Sequence, residues 1–255
     1  MTGTSAMDRW RGRVALVTGV SSGIGNAVAR MLARAGMRVA FCGRREDRLD
    51  ALAHECAGLG VEALAVKVDL RDTAEIGRLF EDVRNRWGGV DVLVNNAGLG
   101  HLAPLVDGET EQWREMLEVN VLALCVCTRE AVADMRARGD DGHVVHISSM
   151  SAHRVPAGSG VYSATKFAVR ALTEGLRQEL RELGSGIRVS SISPGFVETE
   201  FAERYHRSRA VAEQTYGRYK VLEPGDVADA VRQVLAAPAH VEIHDILLRP
   251  TQQRG

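Results

Sequence analysis

Short apolar, β-rich runs alternate along the chain with longer stretches in which apolar residues recur at helical spacing. The short runs predict strands near Arg13–Thr18, Arg38–Cys42, Glu62–Lys67, Val90–Asn95, His143–Ser148, Arg188–Ser193 and Asp245–Arg249. Helical patterns fill most of the gaps, as in Ala27–Leu32 and Trp113–Leu122. Nearly continuous apolar strands separated by helical crossovers predict a parallel sheet covered on both faces, with right-handed connections. The predicted architecture is α/β: a single doubly wound domain over residues 1–255, with helices on both faces of a sheet of about seven strands. The irregular, charge-rich stretch from Thr199 to Lys220 is the only long departure from this alternation.

Sheets of this kind bind ligands outside the carboxyl ends of their strands. Gly19 follows the first predicted strand, Arg44 the second, Asp69 the third, Asn96 the fourth, Ser149 the fifth and Pro194 the sixth, which predicts one shared site. The segment Thr18-Gly19-Val20-Ser21-Ser22-Gly23-Ile24-Gly25 lies between the strand Val14–Val17 and the helical pattern from Ala27. A glycine turn there brings backbone close to a pyrophosphate, and the N–H groups of the helix start favour the anion.

Tyr162 and Lys166 are four residues apart, which on a helix puts a phenol and an ammonium on one face. A free phenol has a pKa of about 10, so a nearby cation is needed to favour the phenolate near neutrality. Lys166 supplies that charge in this reading. After the second strand the chain reads Gly43-Arg44-Arg45. An acid in this region would bind ribose hydroxyls and repel a 2′-phosphate, whereas Arg44 and Arg45 suit a phosphate, so the expected cofactor is NADP(H).

These segments resemble the short-chain dehydrogenase/reductase superfamily, in which the glycine turn reads Thr-Gly-x-x-x-Gly-x-Gly and the catalytic segment Tyr-x-x-x-Lys. Asn95-Asn96-Ala97-Gly98, Asn120, Ser149 and Pro194-Gly195 fall in the family's order, and the resemblance covers nearly the whole chain. Segments around Asp141–Val155, Glu174–Glu182 and Arg249–Thr251 are similar to a subgroup that includes dehydrogenase/reductase member 11 and clavulanic acid dehydrogenase.

The resemblance implies a Rossmann-like fold and NADPH-dependent, reversible reduction of a carbonyl to an alcohol. Tyr162 would protonate the developing alkoxide and Ser149 would orient the carbonyl, Ser148 and Ser151 being its rivals. Lys166 would lower the Tyr162 pKa and hold the nicotinamide ribose, and Asn120 would position a water linking Lys166 to solvent. The implied cofactor contacts are Gly19, Ser21, Ser22, Gly23, Ile24, Gly25, Arg44, Arg45, Asp69, Leu70, Asn96, Ala97, Gly98, Tyr162, Lys166, Pro194, Gly195, Val197 and Thr199. Asp69 would bind the adenine amino group, or alternatively cap the following helix. An NAD-linked alcohol or hydroxysteroid dehydrogenase is an alternative reading, and a non-catalytic dinucleotide sensor a remote one. The helix Val161–Glu182 resembles the family's interface helix, implying a homodimer or homotetramer. His101 and His153 are candidates to line the substrate opening, and residues 199–220 are a candidate lid.

Lys and Arg total 32 against 33 Asp and Glu, and the net charge of −1 gives no general attraction for nucleic acid or an anionic membrane. Cys42, Cys56, Cys125 and Cys127 lack paired metal-ligand or redox spacing; they read as reduced packing residues, with Cys42 and the Cys125/Cys127 pair in segments expected to be buried. The eight histidines show no metal-ligand spacing, so no catalytic metal is expected. No apolar run reaches the ~18 residues of a membrane span, and Met1–Trp10 lacks a signal-like apolar stretch. A soluble, cytoplasmic protein with a small-molecule carbonyl or alcohol substrate is the resulting expectation.

Overall fold

In the computed structural model, which describes residues 6–254, the first predicted strand is Val14–Thr18 and all five of its residues are buried. Residues 1–5 of the Met1–Trp10 stretch lie outside the described residues. The elements run β1 (Val14–Thr18), α1 (Gly23–Arg34), β2 (Arg38–Gly43), α2 (Glu46–Gly58), β3 (Ala63–Lys67), α3 (Thr73–Trp87), β4 (Val92–Asn95), α4 (Thr110–Leu117), α5 (Ala123–Ala137), β5 (His143–Ile147), α6 (Gly160–Glu182), β6 (Arg188–Pro194), α7 (Phe201–His206), α8 (Arg209–Tyr216), α9 (Pro224–Ala236) and β7 (Asp245–Leu248). Strand ends move by one or two residues from their predicted positions, as frayed termini do.

Alternate residues of β1 serve two cores. Ala15 and Val17 pack with Val28 and Leu32 of α1 and Val231 of α9. Val14 and Leu16 pack with Phe80 and Val83 of α3 and Met135 of α5. A strand apolar at every position therefore glues a helical layer to each face of the sheet, which is why its sequence shows no polar alternation. The seven strands are all parallel, in the order β3-β2-β1-β4-β5-β6-β7. The order reverses between β1 and β4, and the crevice opens there.

The helix predicted through Trp113–Leu122 is present and runs without a break from Thr110 to Ala137, but its hydrogen-bond pitch changes on the way. A π-helical turn, Glu118–Leu122, joins α4 to α5 and carries Asn120. Such turns put one extra residue into the helix and recur at functional sites. Cys42, Cys56 and Cys127 are buried, but Cys125 is only partly so, because it lies on a more exposed side of α5. Burial pushes the Cys42 thiol up to about 12, consistent with an inert packing residue. Among the described residues no helix is long and apolar enough to cross a membrane, and no cluster of His, Cys, Asp or Glu is arranged to hold a metal ion.

Below the crevice a buried polar chain ties β4, α5, β5 and α6. Asn95 Nδ2 donates to Thr128 Oγ1 at 2.9 Å, and the same oxygen lies 3.3 Å from His146 Nε2. His146 Nδ1 is 2.8 Å from Thr173 Oγ1. Burial, with Lys166 and then Arg177 as further causes, pushes His146 down to about 3. Between about pH 6.5 and 3 the unfolded chain takes up a proton on this ring that the folded chain does not, so stability is lost as pH falls through that window. His146→Gln should therefore lose about 2 kcal/mol less stability than the parent between pH 7 and pH 5 in urea unfolding. Equal losses in the two proteins would show that His146 does not govern this acid sensitivity.

Candidate active site

The turn after β1 is held open by its neighbour across the strand reversal. Thr18 Oγ1 accepts from the N–H groups of Asn96 and Ala97 at 3.1 and 3.0 Å. Asn96 Nδ2 donates to the carbonyls of Thr18 and Gly19 at 2.9 and 3.0 Å. Gly19 has φ +72°, and a Cβ there would fall 2.8 Å from the Ala97 backbone, so both conformation and space require glycine. Ser22 precedes α1 without a side-chain capping bond, leaving first-turn N–H groups available to an anion. By contrast, Asp72 caps α3 by accepting from the N–H groups of Ala74 and Glu75. That helix therefore does not use Asp69 as its cap.

The cleft beside this turn has a volume of about 530 Å³. It is lined by Gly19, Ser21, Ser22, Gly23, Ile24, Arg44, Arg45, Asp69, Leu70, Asn96, Ala97, Gly98, Ser149, Tyr162, Lys166, Pro194, Gly195, Val197 and Thr199. Gly25 does not line it. A Cβ at Gly25 would lie 2.4 Å from Asn96 Nδ2 and 2.5 Å from the Gly19 carbonyl, so this glycine makes room for the clamp behind the turn.

At the inner end, Ser149 starts a 3₁₀ turn and its Oγ accepts from the Ser151 N–H at 3.0 Å. Ser149 and Tyr162 line the cleft together, and the influence of Ser149 opposes the effect of burial, which pushes the phenol up to about 12. Ser148, although it also lines the cleft, is nearly fully buried, and its Oγ has no hydrogen-bond partner among the described residues. Lys166 Nζ donates to the Ile147 carbonyl at 3.0 Å and lies 6.0 Å from the centroid of the Tyr162 ring. Burial pushes this ammonium down to about 8. The expected lowering of Tyr162 by Lys166 is thus not what the arrangement displays: desolvation dominates the phenol, and the ammonium is hydrogen-bonded to the backbone.

Asn120 lies beneath the cleft rather than on its wall. Its Oδ1 accepts from the Leu99 N–H at 2.9 Å, and its Nδ2 donates to the Leu99 carbonyl at 2.8 Å and Thr165 Oγ1 at 3.0 Å. A Cβ at Gly98 would stand 3.4 Å from Asn120 Oδ1 and 3.5 Å from Lys166 Nζ, so Gly98 leaves a gap flanked by both groups.

At the outer end, Arg44 and Arg45 have different partners. Arg44 is half-exposed, 3.9 Å from Glu115. Arg45 Nη1 donates to Glu200 Oε1 at 3.1 Å, and its Nη2 donates to Ser22 Oγ at 3.0 Å. Asp69 is held by Arg71, whose Nη2 lies 2.5 Å from Oδ2; this hydrogen bond is the main reason that its carboxyl falls below the usual range.

Residues 199–220 form α7, α8 and their connections. An isolated parallel bridge between Val197 and Leu222 pins both ends of this excursion. Phe201 and Tyr205 pack against Tyr162, with ring centroids 5.4 and 6.0 Å away. Tyr216 donates from its hydroxyl to the Thr199 carbonyl at 3.2 Å. Tyr219 does not reach the cleft.

His101 and His153 do not line the opening either: His101 Nε2 lies 2.8 Å from Glu115, and His153 Nε2 lies 3.2 Å from Ser193 Oγ. His206 of α7 does line it. Gln253 and Glu200 also reach the cleft from distant parts of the chain. Gln253 Oε1 accepts from the Phe196 N–H at 3.0 Å. No local motif announces either residue.

Comparison with known proteins agrees with this geometry. A family model described as short chain dehydrogenase matches residues 13–210. The chain is 51% identical to dehydrogenase/reductase SDR family member 11 of Bos taurus, over 97% of this chain and 99% of that protein. It is 42% identical to the farnesol dehydrogenase of Aedes aegypti, over 97% of this chain and all of that protein. Among solved structures, the closed form of serine dehydrogenase complexed with NADP+ superposes with a TM-score of 0.89 at 35% identity, covering 95% of this chain and 96% of that one. With an all-parallel sheet, a glycine turn at its strand reversal and a match spanning most of its length, the chain belongs to the short-chain dehydrogenase/reductase family of oxidoreductases.

Proposed function

We propose that this chain catalyses the reversible reduction of a ketone or other carbonyl to an alcohol, with NADPH as its cofactor. The observation that carries the reading is the convergence of Ser149, Tyr162 and Lys166 on the cleft into which the glycine turn opens. NADPH, when bound, supplies the hydride. Gly19, Ser21, Gly23 and Ile24 would hold its pyrophosphate at the start of α1, Ser22, Arg44 and Arg45 its 2′-phosphate, and Asp69 and Leu70 its adenine. Asn96, Ala97 and Gly98 would lie along it, while Pro194, Gly195, Val197 and Thr199 would shape the nicotinamide end. The uncapped start of α1 and the paired guanidinium groups provide donors suited to that set. A relative solved with NADP+ lends support.

Negative charge develops on the substrate oxygen during reduction, and the site must supply a donor and a proton there. Ser149 holds the oxygen and the Tyr162 hydroxyl gives its proton to it. A phenol kept neutral by burial is in the form that donates, which suits the reductive direction. Lys166 contributes positive charge below the ring and a donor to the ribose. Asn120 fixes the Leu99 backbone and Thr165 beside that pair. The substrate end is walled by Leu102, Pro156, Phe196, Phe201, Tyr205 and Tyr216, so an apolar carbonyl compound fits it best. The named activity of the farnesol dehydrogenase relative supports that substrate class. Residues 199–220 act as the lid over this end. Leu117 of α4, Leu122 of the π-helical turn and Phe167 of α6 are exposed, and a homodimer or homotetramer would cover them.

Tyr162→Phe should lower turnover by about 10²- to 10⁴-fold on a ketone that the parent reduces, with NADPH binding within about twofold of the parent. Near-parental turnover in that variant would remove Tyr162 as the proton donor. The double variant Arg44→Asp, Arg45→Ala should lower the NADPH/NADH affinity ratio by about a hundredfold, since each charge-assisted hydrogen bond lost costs about tenfold. A ratio unchanged in fluorescence titration would eliminate the 2′-phosphate assignment.

A further inference from the structure

Glu200 is the residue immediately before α7, yet its carboxylate lies among groups from the other side of the cleft. Its Oε1 accepts from Arg45 Nη1 at 3.1 Å, and its Oε2 is 3.0 Å from Arg45 Nη2. Ser22 Oγ donates to Oε2 at 3.2 Å, and Arg204 Nη2 donates to the same oxygen at 2.6 Å. Arg48 Nη1 lies 4.0 Å from Oε1. Ser22 belongs to the glycine turn, Arg45 follows β2, and Glu200 opens the lid, so one carboxylate joins three segments that are distant in sequence.

A carboxylate engaged by both arms of a guanidinium presents two oxygens as a phosphate does. Glu200 therefore occupies the donors that an anionic ligand would seek at this end of the cleft. The side chains of Arg45 and Glu200 are about one-third exposed, so solvent screens their attraction only in part. Arg45 and Arg204 together hold the Glu200 carboxyl below its ordinary range, with the Arg45 hydrogen bond the largest cause. It is ionised at neutral pH and competes as a full charge.

We propose that Glu200 is an internal competitor for the ribose 2′-phosphate of NADPH: it sits on Arg45 and Ser22 until that phosphate displaces it, and its displacement releases the start of α7. The inference rests on the NADPH reading above. Under it, discrimination between NADPH and NADH depends on Glu200 as well as on the arginines, because only the phosphorylated cofactor must remove the carboxylate. The cofactor is also coupled to the roof of the substrate end, since the segment that Glu200 tethers carries Phe201 and Tyr205.

Calorimetric titration with 2′,5′-ADP and 5′-AMP, which lack the nicotinamide, tests this without any turnover. The parent should bind 2′,5′-ADP more tightly than 5′-AMP. Glu200→Gln keeps the shape and removes the charge; it should tighten 2′,5′-ADP by about tenfold and leave 5′-AMP within about twofold. If the parent does not discriminate between the two fragments, the NADPH reading fails and the competitor role fails with it. If the parent discriminates and Glu200→Gln leaves 2′,5′-ADP unchanged or weaker, the NADPH reading stands and the competitor role is overturned. Hydrogen exchange on the parent gives a measurement independent of the variant's folding. The amides of Phe201–His206 should exchange several-fold faster with 2′,5′-ADP than with 5′-AMP, and equal exchange overturns the release of α7.

Discussion

The structure depends on the clamp between the tips of β1 and β4. At the reversal of a parallel sheet two loops leave the same edge in opposite directions, and their backbone polar groups must find partners. Thr18 and Asn96 provide them reciprocally: a hydroxyl receives two N–H groups from one loop, and an amide fills two carbonyls of the other. The glycine turn can then keep first-turn N–H groups of α1 directed at the cleft instead of at itself. Gly19 and Gly25 are required for the same reason, since a methyl group at either position would enter the clamp.

The state of Tyr162 and Lys166 is set by burial. One long helix, α6, carries both Tyr162 and Lys166, and the apolar surroundings push the phenol up and the ammonium down. Both shifts favour the neutral forms, as desolvation must. Two nearby polar side chains are satisfied: Asn120 makes three hydrogen bonds, and Lys166 reaches the Ile147 carbonyl. The π-helical turn makes this possible by bringing Asn120 inward midway along an otherwise regular helical stretch.

Much of this was legible in the sequence, for identifiable reasons. Strands buried on both faces are continuous apolar runs, so all seven stood out, and residues placed after them share one cleft. The glycine turn and the Tyr162/Lys166 pair are local patterns with fixed spacing. The π-helical turn was hidden because its wider hydrogen-bond pattern has no residue type of its own to mark it. His101 and His153 were misplaced because loop direction follows from packing, and each ring turns to a partner away from the opening. Glu200 and Gln253 were invisible because their partners lie far away in sequence: 155 residues separate Glu200 from Arg45, and 57 separate Gln253 from Phe196.

The bridge between Val197 and Leu222 gives the fold a modular joint. Leu222 N–H donates to the Phe196 carbonyl at 3.0 Å, and the Glu198 N–H donates to the Leu222 carbonyl at 2.8 Å, so the chain leaves the sheet and returns at one point. Loop closure is fixed by that joint, and each doubling of the enclosed length adds only about 0.6 kcal/mol of closure entropy. The roof of the cleft can consequently lengthen, shorten or change composition while the sheet, the glycine turn and the Tyr162/Lys166 pair keep their places. A lineage can thus exchange one substrate for another by rewriting a single excursion of the chain.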